Sequence, residues 1–336
     1  MSTTVITNQN KISPGIDMFK LLFTLLIPLL HINYVADGGT TFLTQYLARM
    51  GVPFFFCCTG FFLETNLQKS TERTACKKHC GRYLWLLCFW LPVVLLFWIN
   101  NYSGHGANIS TIFEIIQNIL FLTPGYLWYL SAGIVGIFLY CYLRYVLKNN
   151  TIGLITICGV LYVIGCLGNS WSFTGFMPKL YYDIFLSTRN GLFFAFPLIT
   201  MGALIKQKNI SKMKYATPLA IVAFFVEVYF VRGKVDMGTD TSMYFTLPVL
   251  IYCIMSIALS IKIGNRLSNF LAHTRQWGNL FYCMQYPCFI AVRYFVRNQL
   301  PTLLTITVNY GALFVCTLIT YIIIKKSNIK LLHKLV

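Results

Sequence analysis

Ten apolar runs recur along the chain, near residues 16–34, 43–63, 81–101, 125–147, 151–168, 191–206, 215–231, 242–262, 279–297 and 302–324, with short polar segments between them. A transmembrane helix needs about 20 mostly apolar residues, and in hydrocarbon every backbone polar group must be paired within the segment. Runs of this length and number therefore restrict the chain to one fold class. It is expected to be all-α: a polytopic integral membrane helix bundle of about ten transmembrane helices, forming a single domain over 1–336. Composition agrees, with 57% apolar and only 11% charged residues, against roughly 25% charged in soluble domains. A soluble globule this poor in charge could not cover its surface. A soluble enzyme, a disordered chain and a secreted disulfide scaffold are excluded; an enzyme, a transporter or a receptor in the membrane is not.

The first run carries Asp17, Lys20 and His31 and has no small-residue cleavage site, so it reads as an uncleaved span. Segment 111–122 is too short to cross and is expected to lie along the outer interface or to re-enter. Lys and Arg number 27 against 9 Asp and Glu, a formal charge of +18. On a soluble chain that would point to nucleic acid; here no nucleic-acid partner is expected, because cations hold cytoplasmic loops against anionic lipid. With the N-terminus inside, every inner segment is basic: Lys11, then Lys69 to Arg82, Arg144 with Lys148, Lys206 to Lys214, Lys262 to Arg275, and Lys325 onward. Both termini are thus expected to be cytoplasmic, in the bacterial cytoplasmic membrane, with the bilayer as partner. Most of the 12 cysteines sit inside apolar runs as small hydrophobes. The pair in Cys76-Lys-Lys-His-Cys80 lies in a basic loop that repels a cation, so no metal is expected there.

Ionisable residues inside spans are costly, and each is a functional candidate. On an ideal α-helix, Lys20 and His31 are 11 residues apart, hence within about 20° of one face and some 16 Å apart along the axis. Asp17 lies one turn below Lys20. The alternative is structural: an i,i+3 pair at the interface, and a histidine bonded to a neighbouring helix. At the depth of His31 the expected topology also places Arg49, Trp128, Tyr129, Arg189, Asn190, Glu227 and Asp240, which would converge in an outer polar cavity. Against that stand belt aromatics, interfacial anchors and a structural Arg49–Glu227 ion pair. The inner side offers Lys77, Lys78 and Arg82, with Lys20 in span one and Gln285 in span nine.

These residues resemble a known family. Lys20, ten residues, then His31 resembles the basic-x10-His signature of the membrane acyltransferase-3 family. The segment Arg49-Met-Gly-Val-Pro-Phe-Phe-Phe-Cys-Cys-Thr-Gly60-Phe resembles its second-helix motif, and Lys77, Lys78 and Arg82 before Tyr83 its basic stretch. A closer resemblance is to the membrane domain attached to the serine racemases of glycopeptide resistance. It rests on Gly15-Ile-Asp17, Leu127-Trp-Tyr129, Thr188-Arg-Asn-Gly-Leu-Phe-Phe194, Glu227, and Ser242-Met-Tyr244 before Leu247-Pro248. Three positions depart from the pattern: Lys20 stands for Arg, Thr59-Gly60 for Ser-Gly, and Gln285 for a His of the racemase relatives. Lys is a point charge, not a bidentate fork, so gripping at position 20 would be looser. No racemase domain follows in this sequence, and no racemase activity is expected of it.

The resemblance implies an O-acyltransferase that takes an acyl group, usually from cytosolic acyl-CoA as co-substrate, to a hydroxyl of an extracytoplasmic carbohydrate. No bound cofactor is implied. Lys77, Lys78, Arg82 and Lys20 would draw the donor's phosphates. His31 would act as general base, with Asp17 and Lys20 on its stripe, and Arg49 would face the oxyanion. Trp128, Tyr129, Arg189, Asn190 and Glu227 would bind the acceptor. The rival implication is uptake of an amino acid such as L-serine, with Arg49 and Arg189 on the carboxylate and Glu227 on the ammonium. A sensor or partner subunit without turnover is the third.

Overall fold

Pro14 opens the first helix at a position where its missing N–H costs nothing, and Ser13 Oγ docks that end by donating to Ala258 O at 3.1 Å. The computed structural model describes residues 13–32, 46–102, 127–185, 187–208, 212–235, 241–296, 301–329 and 332–335. Among them the α-helices are α1 (Pro14–Leu26), α2 (Gly51–Leu67), α3 (Glu72–Tyr102), α4 (Trp128–Val146), α5 (Thr151–Leu167), α6 (Lys179–Phe185), α7 (Phe196–Lys208), α8 (Thr217–Arg232), α9 (Leu247–Ser260), α10 (Asn265–Val296) and α11 (Thr302–Lys326). No strand occurs among the described residues.

Each of the ten apolar runs holds a helix. Among the described residues, four helices are long and apolar enough to cross a membrane: Ala48–Leu67, Trp128–Val146, Met213–Arg232 and Leu303–Lys326. Thr151–Leu167 and Leu247–Ser260 are apolar but shorter. Their outward faces are undisguisedly apolar. On α11 Val315, Leu318, Ile319 and Ile323 are exposed, as are Leu219 and Tyr229 on α8. Water-facing surfaces rarely carry patches of this size, whereas lipid tails accept them. Segment 111–122 and Asp240 lie outside the described residues.

Two helices begin well before their apolar runs. Thr71 Oγ1 accepts from Thr74 N at 3.4 Å and starts α3 at Glu72, so the basic stretch Lys77–Arg82 is helical. Likewise α10 starts at Asn265 and carries Arg275 on a rigid helix. The turn between α4 and α5 uses left-handed Lys148 and Asn149, and Asn150 then caps α5 by accepting from Ile152 N and Gly153 N.

Among the described glycines, the closest backbone approaches are between α2 and α7. A Cβ added to Gly60 would stand 1.8 Å from Ile199 O, and one added to Gly202 would stand 1.8 Å from Cys57 O. Only glycine permits that approach. One end of the bundle gathers the charges. Glu64 of α2 accepts from Tyr140 OH at 2.8 Å and pairs with Arg144 of α4, whose Nε is also 3.7 Å from Glu72 of α3. Lys206 of α7 sits over the Phe61 ring at the same end.

Candidate functional site

The functional side chains fall into two compartments. The first is a cavity of about 520 Å³ walled by α1, α2, α3, α10 and the start of α4. Helical spacing selects its lining. On α1 it takes Asp17, Lys20, Leu21 and Thr24, with Ile27 just past its end; on α10 it takes Thr274, Arg275, Trp277, Gly278, Asn279, Tyr282, Cys283 and Gln285. The α1 set recurs at three- and four-residue intervals, which is one helix face, while α10 lines the cavity over a broader face. The charged end holds Lys78, His79, Arg82 and Arg275; Lys77 is exposed and does not line it.

Asp17 meets Arg275 rather than Lys20 alone. Arg275 Nε lies 2.9 Å from Asp17 Oδ1, an ion pair that falls outside hydrogen-bond geometry. Lys20 Nζ sits 4.3 Å above the Phe62 ring centroid, a cation–π contact on the cavity wall. His79, ahead of the apolar part of α3, accepts from Asn66 Nδ2 at 2.6 Å. Burial, with Lys78 and Arg82 adding, pushes its imidazole down to about 4, so it is neutral near pH 7.

A chain of hydroxyls lines the same cavity. Thr59 donates to Phe55 O at 2.9 Å, so its oxygen accepts from Tyr83 at 2.8 Å, and Tyr83 in turn accepts from Tyr129 at 3.0 Å. The order makes the Tyr129 hydroxyl the donor at the head of the chain. Thr59 thus keeps the hydroxyl of the family's Ser-Gly step.

The second compartment lies beyond the end of α1. Arg49 Nη1 donates to Ser242 Oγ at 2.7 Å and Arg189 Nη1 to the same oxygen at 3.2 Å. The Arg189 guanidinium also lies 4.6 Å from the Trp128 ring centroid, and Trp128 stacks on Phe194. His31 is within electrostatic reach of both guanidiniums. The structure therefore brings together His31, Arg49, Arg189 and Trp128, and adds Ser242.

Two expectations change. Past Leu26 the first helix tightens into a 3₁₀ turn, Ile27–Leu30, with Pro28 inside it. At 3.0 residues per turn those steps add about 20° each. His31 ends about 100° from the face of Lys20 instead of about 20°, and it does not line the cavity with Lys20. Trp128 and Tyr129 likewise divide between compartments, because adjacent helical residues point about 100° apart.

Asn190 and Glu227 are committed to hydrogen bonds within the protein, to backbone and side chains alike. Asn190 Oδ1 accepts from Leu192 N and Phe193 N, and its Nδ2 donates to Tyr181 OH and Ser187 O, which fills the amide's capacity and caps the π-helical turn Gly191–Ala195. Glu227 is 8% exposed. It accepts from Trp171 Nε1 and Phe245 N at 2.8 Å, and from Thr246 N and Oγ1 at 2.8 and 2.6 Å. These bonds, and not a pairing with Arg49, hold the start of α9 and the loop that carries Ser242. Sequence reasoning missed Ser242, Arg275, Thr59 and Tyr83 as site members. Arg275 read as a loop cation because α10 was expected to begin at 279.

With this layout in view, a family comparison decides the class. The acyltransferase domain family matches residues 13–325. The chain belongs to the acyltransferase-3 family. It is a membrane domain of the acyltransferase type. Curated relatives include an amino-acid racemase of Enterococcus faecalis, 26% identical over 295 residues, which cover 83% of this chain and 40% of the relative. A serine/alanine racemase of Enterococcus gallinarum is 23% identical over 333 residues, covering 90% and 45%. The chain spans less than half the length of these relatives. No solved structure matches it significantly.

Proposed function

We propose that this acyltransferase-3 chain is an O-acyltransferase of the bacterial cytoplasmic membrane. It crosses the membrane about ten times with both termini inside, and it moves an acyl group, acetyl above all, from acyl-CoA to a hydroxyl of an extracytoplasmic carbohydrate or envelope acceptor. The observation that carries this reading is the pairing of compartments: a cation-lined cavity that reaches Ile27, and a histidine–arginine cluster around His31, one short helical turn further along the same segment. The four 3₁₀ residues from Ile27, at about 2 Å each, separate the two by about 8 Å. Lys78, Arg82, Arg275 and Lys20 attract the donor's phosphates. The thioester arm runs along the α1–α10 wall. His31 takes the acceptor's hydroxyl proton, the new C–O bond forms as the C–S bond breaks, and the proton passes to the departing thiolate. Arg49 stands where the tetrahedral oxyanion needs a cation. Asn190 and Glu227 hold the outer loops in place.

A second reading is amino-acid uptake, favoured by the racemase names of the relatives. There Arg49 and Arg189 bind a carboxylate and no CoA is used. Purified protein is given labelled acetyl-CoA with envelope saccharide, and proteoliposomes are given labelled serine. Acyl transfer by the wild type, falling at least about a hundredfold in His31→Ala of normal melting temperature, is the expected result. Undiminished transfer in that variant removes His31 from the chemistry. Serine uptake without transfer replaces the acyltransferase reading.

A further inference from the structure

Gln285 is the one cavity side chain, among the described residues, whose polar atoms are all buried and unmatched. It is 1% exposed, and neither its Nε2 nor its Oε1 has a hydrogen-bond partner. It lines the cavity at the end of the α10 stripe that begins with Thr274 and Arg275. The cavity lining includes Ile27, Val52, Leu86 and Leu130, which carry no polar side-chain group, and none of the polar groups that line it hydrogen-bonds the Gln285 amide. Native structures seldom leave a buried amide unmatched, and each such case asks for a partner outside the protein.

The chemistry of that partner follows from the group. A side-chain amide offers two N–H donors and a two-lone-pair acceptor. A carboxylate would meet only the donors and repel the carbonyl. An ammonium would meet only the carbonyl. A secondary amide supplies a C=O and an N–H together. Position adds a second constraint: ten residues separate Arg275 from Gln285, about 15 Å along the helix at 1.5 Å per residue. That distance suits an extended chain of four to five residue lengths, at about 3.4 Å each, anchored by phosphate at the cationic mouth.

We propose that Gln285 reads the amides of the donor's pantetheine arm, donating its Nε2–H to an amide C=O and accepting an amide N–H at Oε1. Gln285 thereby selects pantetheine thioesters over simple thioesters. The proposal rests on the acyl-CoA reading above, but it concerns recognition of the arm and not the transfer step.

Binding tests it without turnover. Desulfo-coenzyme A, which cannot accept an acyl group, is titrated onto wild type and Gln285→Met, alongside an analogue with both pantetheine amides replaced by esters. The wild type is expected to prefer the amide ligand by about tenfold, equal to roughly 1.4 kcal/mol. Gln285→Met is expected to bind both equally and, ligand-free, to melt higher than wild type, because the unmatched amide is gone. Equal binding of amide and ester by the wild type overturns the proposal, and that arm needs no variant to fold. So does a preference that survives in Gln285→Met, or a failure of the wild type to bind desulfo-coenzyme A. An amide preference centred on Gln285 in a protein without acyl transfer keeps the proposal and removes the acyltransferase reading instead.

Discussion

Replacing Gly60 by alanine tests the α2–α7 crossing directly. The added Cβ would stand 1.8 Å from Ile199 O, 2.7 Å from Ile199 C and 3.0 Å from Ala203 N, all backbone atoms that no rotamer change can move. Real Cβ contacts do not fall below about 3.0 Å, so the helices must part by at least about 1.2 Å at this point. A radial gap of 0.5–1 Å already forfeits about a quarter to a half of the dispersion attraction across it. Overpacking of this kind costs about 1–3 kcal/mol, and the rigid backbone places Gly60→Ala at or above the upper end. Gly202→Ala attacks the same crossing from the other helix, since its Cβ would stand 1.8 Å from Cys57 O. Once the helices have parted, the second substitution should add much less than the first. Gly81→Ala is the control: its Cβ meets nothing within 4 Å, and alanine in place of an interior helical glycine stabilises by up to about 1 kcal/mol. Thermal unfolding of the purified variants in one detergent is the assay. If Gly60→Ala melts with Gly81→Ala rather than well below wild type, the backbone approach is wrong.

Three further outcomes are expected. Arg144→Met strands the 2%-exposed Glu64 carboxylate with only Tyr140 and should cost about 3–5 kcal/mol; adding Glu64→Gln should restore most of it, and a double variant as unstable as the single one would refute the pairing. Glu227→Gln turns an N–H₂ against donors from Phe245 and Thr246 and should cost about 1–3 kcal/mol; limited proteolysis near 241–246 should speed up, and unchanged cleavage would contradict the capping role. His79 takes its proton near 6.5 when unfolded but only near 4 when folded. Below 6.5 the unfolded chain therefore binds more protons, and stability should fall as pH drops from about 6.5 to 4, then level off. His79→Gln should flatten that slope of melting temperature against pH, and an unaltered slope would assign it elsewhere.

Much of the fold was legible because hydrophobic runs are a local signal. Every one of the ten runs carries a helix, since a long apolar segment can satisfy its backbone in no other way. Where the runs end is less legible. The polar stretches Glu72–Cys80 and Asn265–Thr274 continue their helices into the charged end of the bundle, and hydropathy alone does not register helix that is not apolar. Depth in the expected topology singled out His31, Arg49 and Arg189, and the resemblance quoted Ser242 within its motif, but neither showed that the two guanidiniums meet on that hydroxyl.

What the sequence determined by itself is the class of structure, the cationic end and the candidate residues, because composition and spacing along one chain fix these. What only the tertiary structure decided is who faces whom. A 3₁₀ turn at Ile27–Leu30 rotates His31 off the Lys20 face, and adjacent Trp128 and Tyr129 serve different compartments. Glu227 caps α9 through contacts with residues 56 positions upstream and 18 downstream. Such pairings depend on how helices distant in sequence are rotated and spaced. A few tens of degrees, or about one ångström, moves a side chain from a cavity to a cap, and no local pattern carries that information.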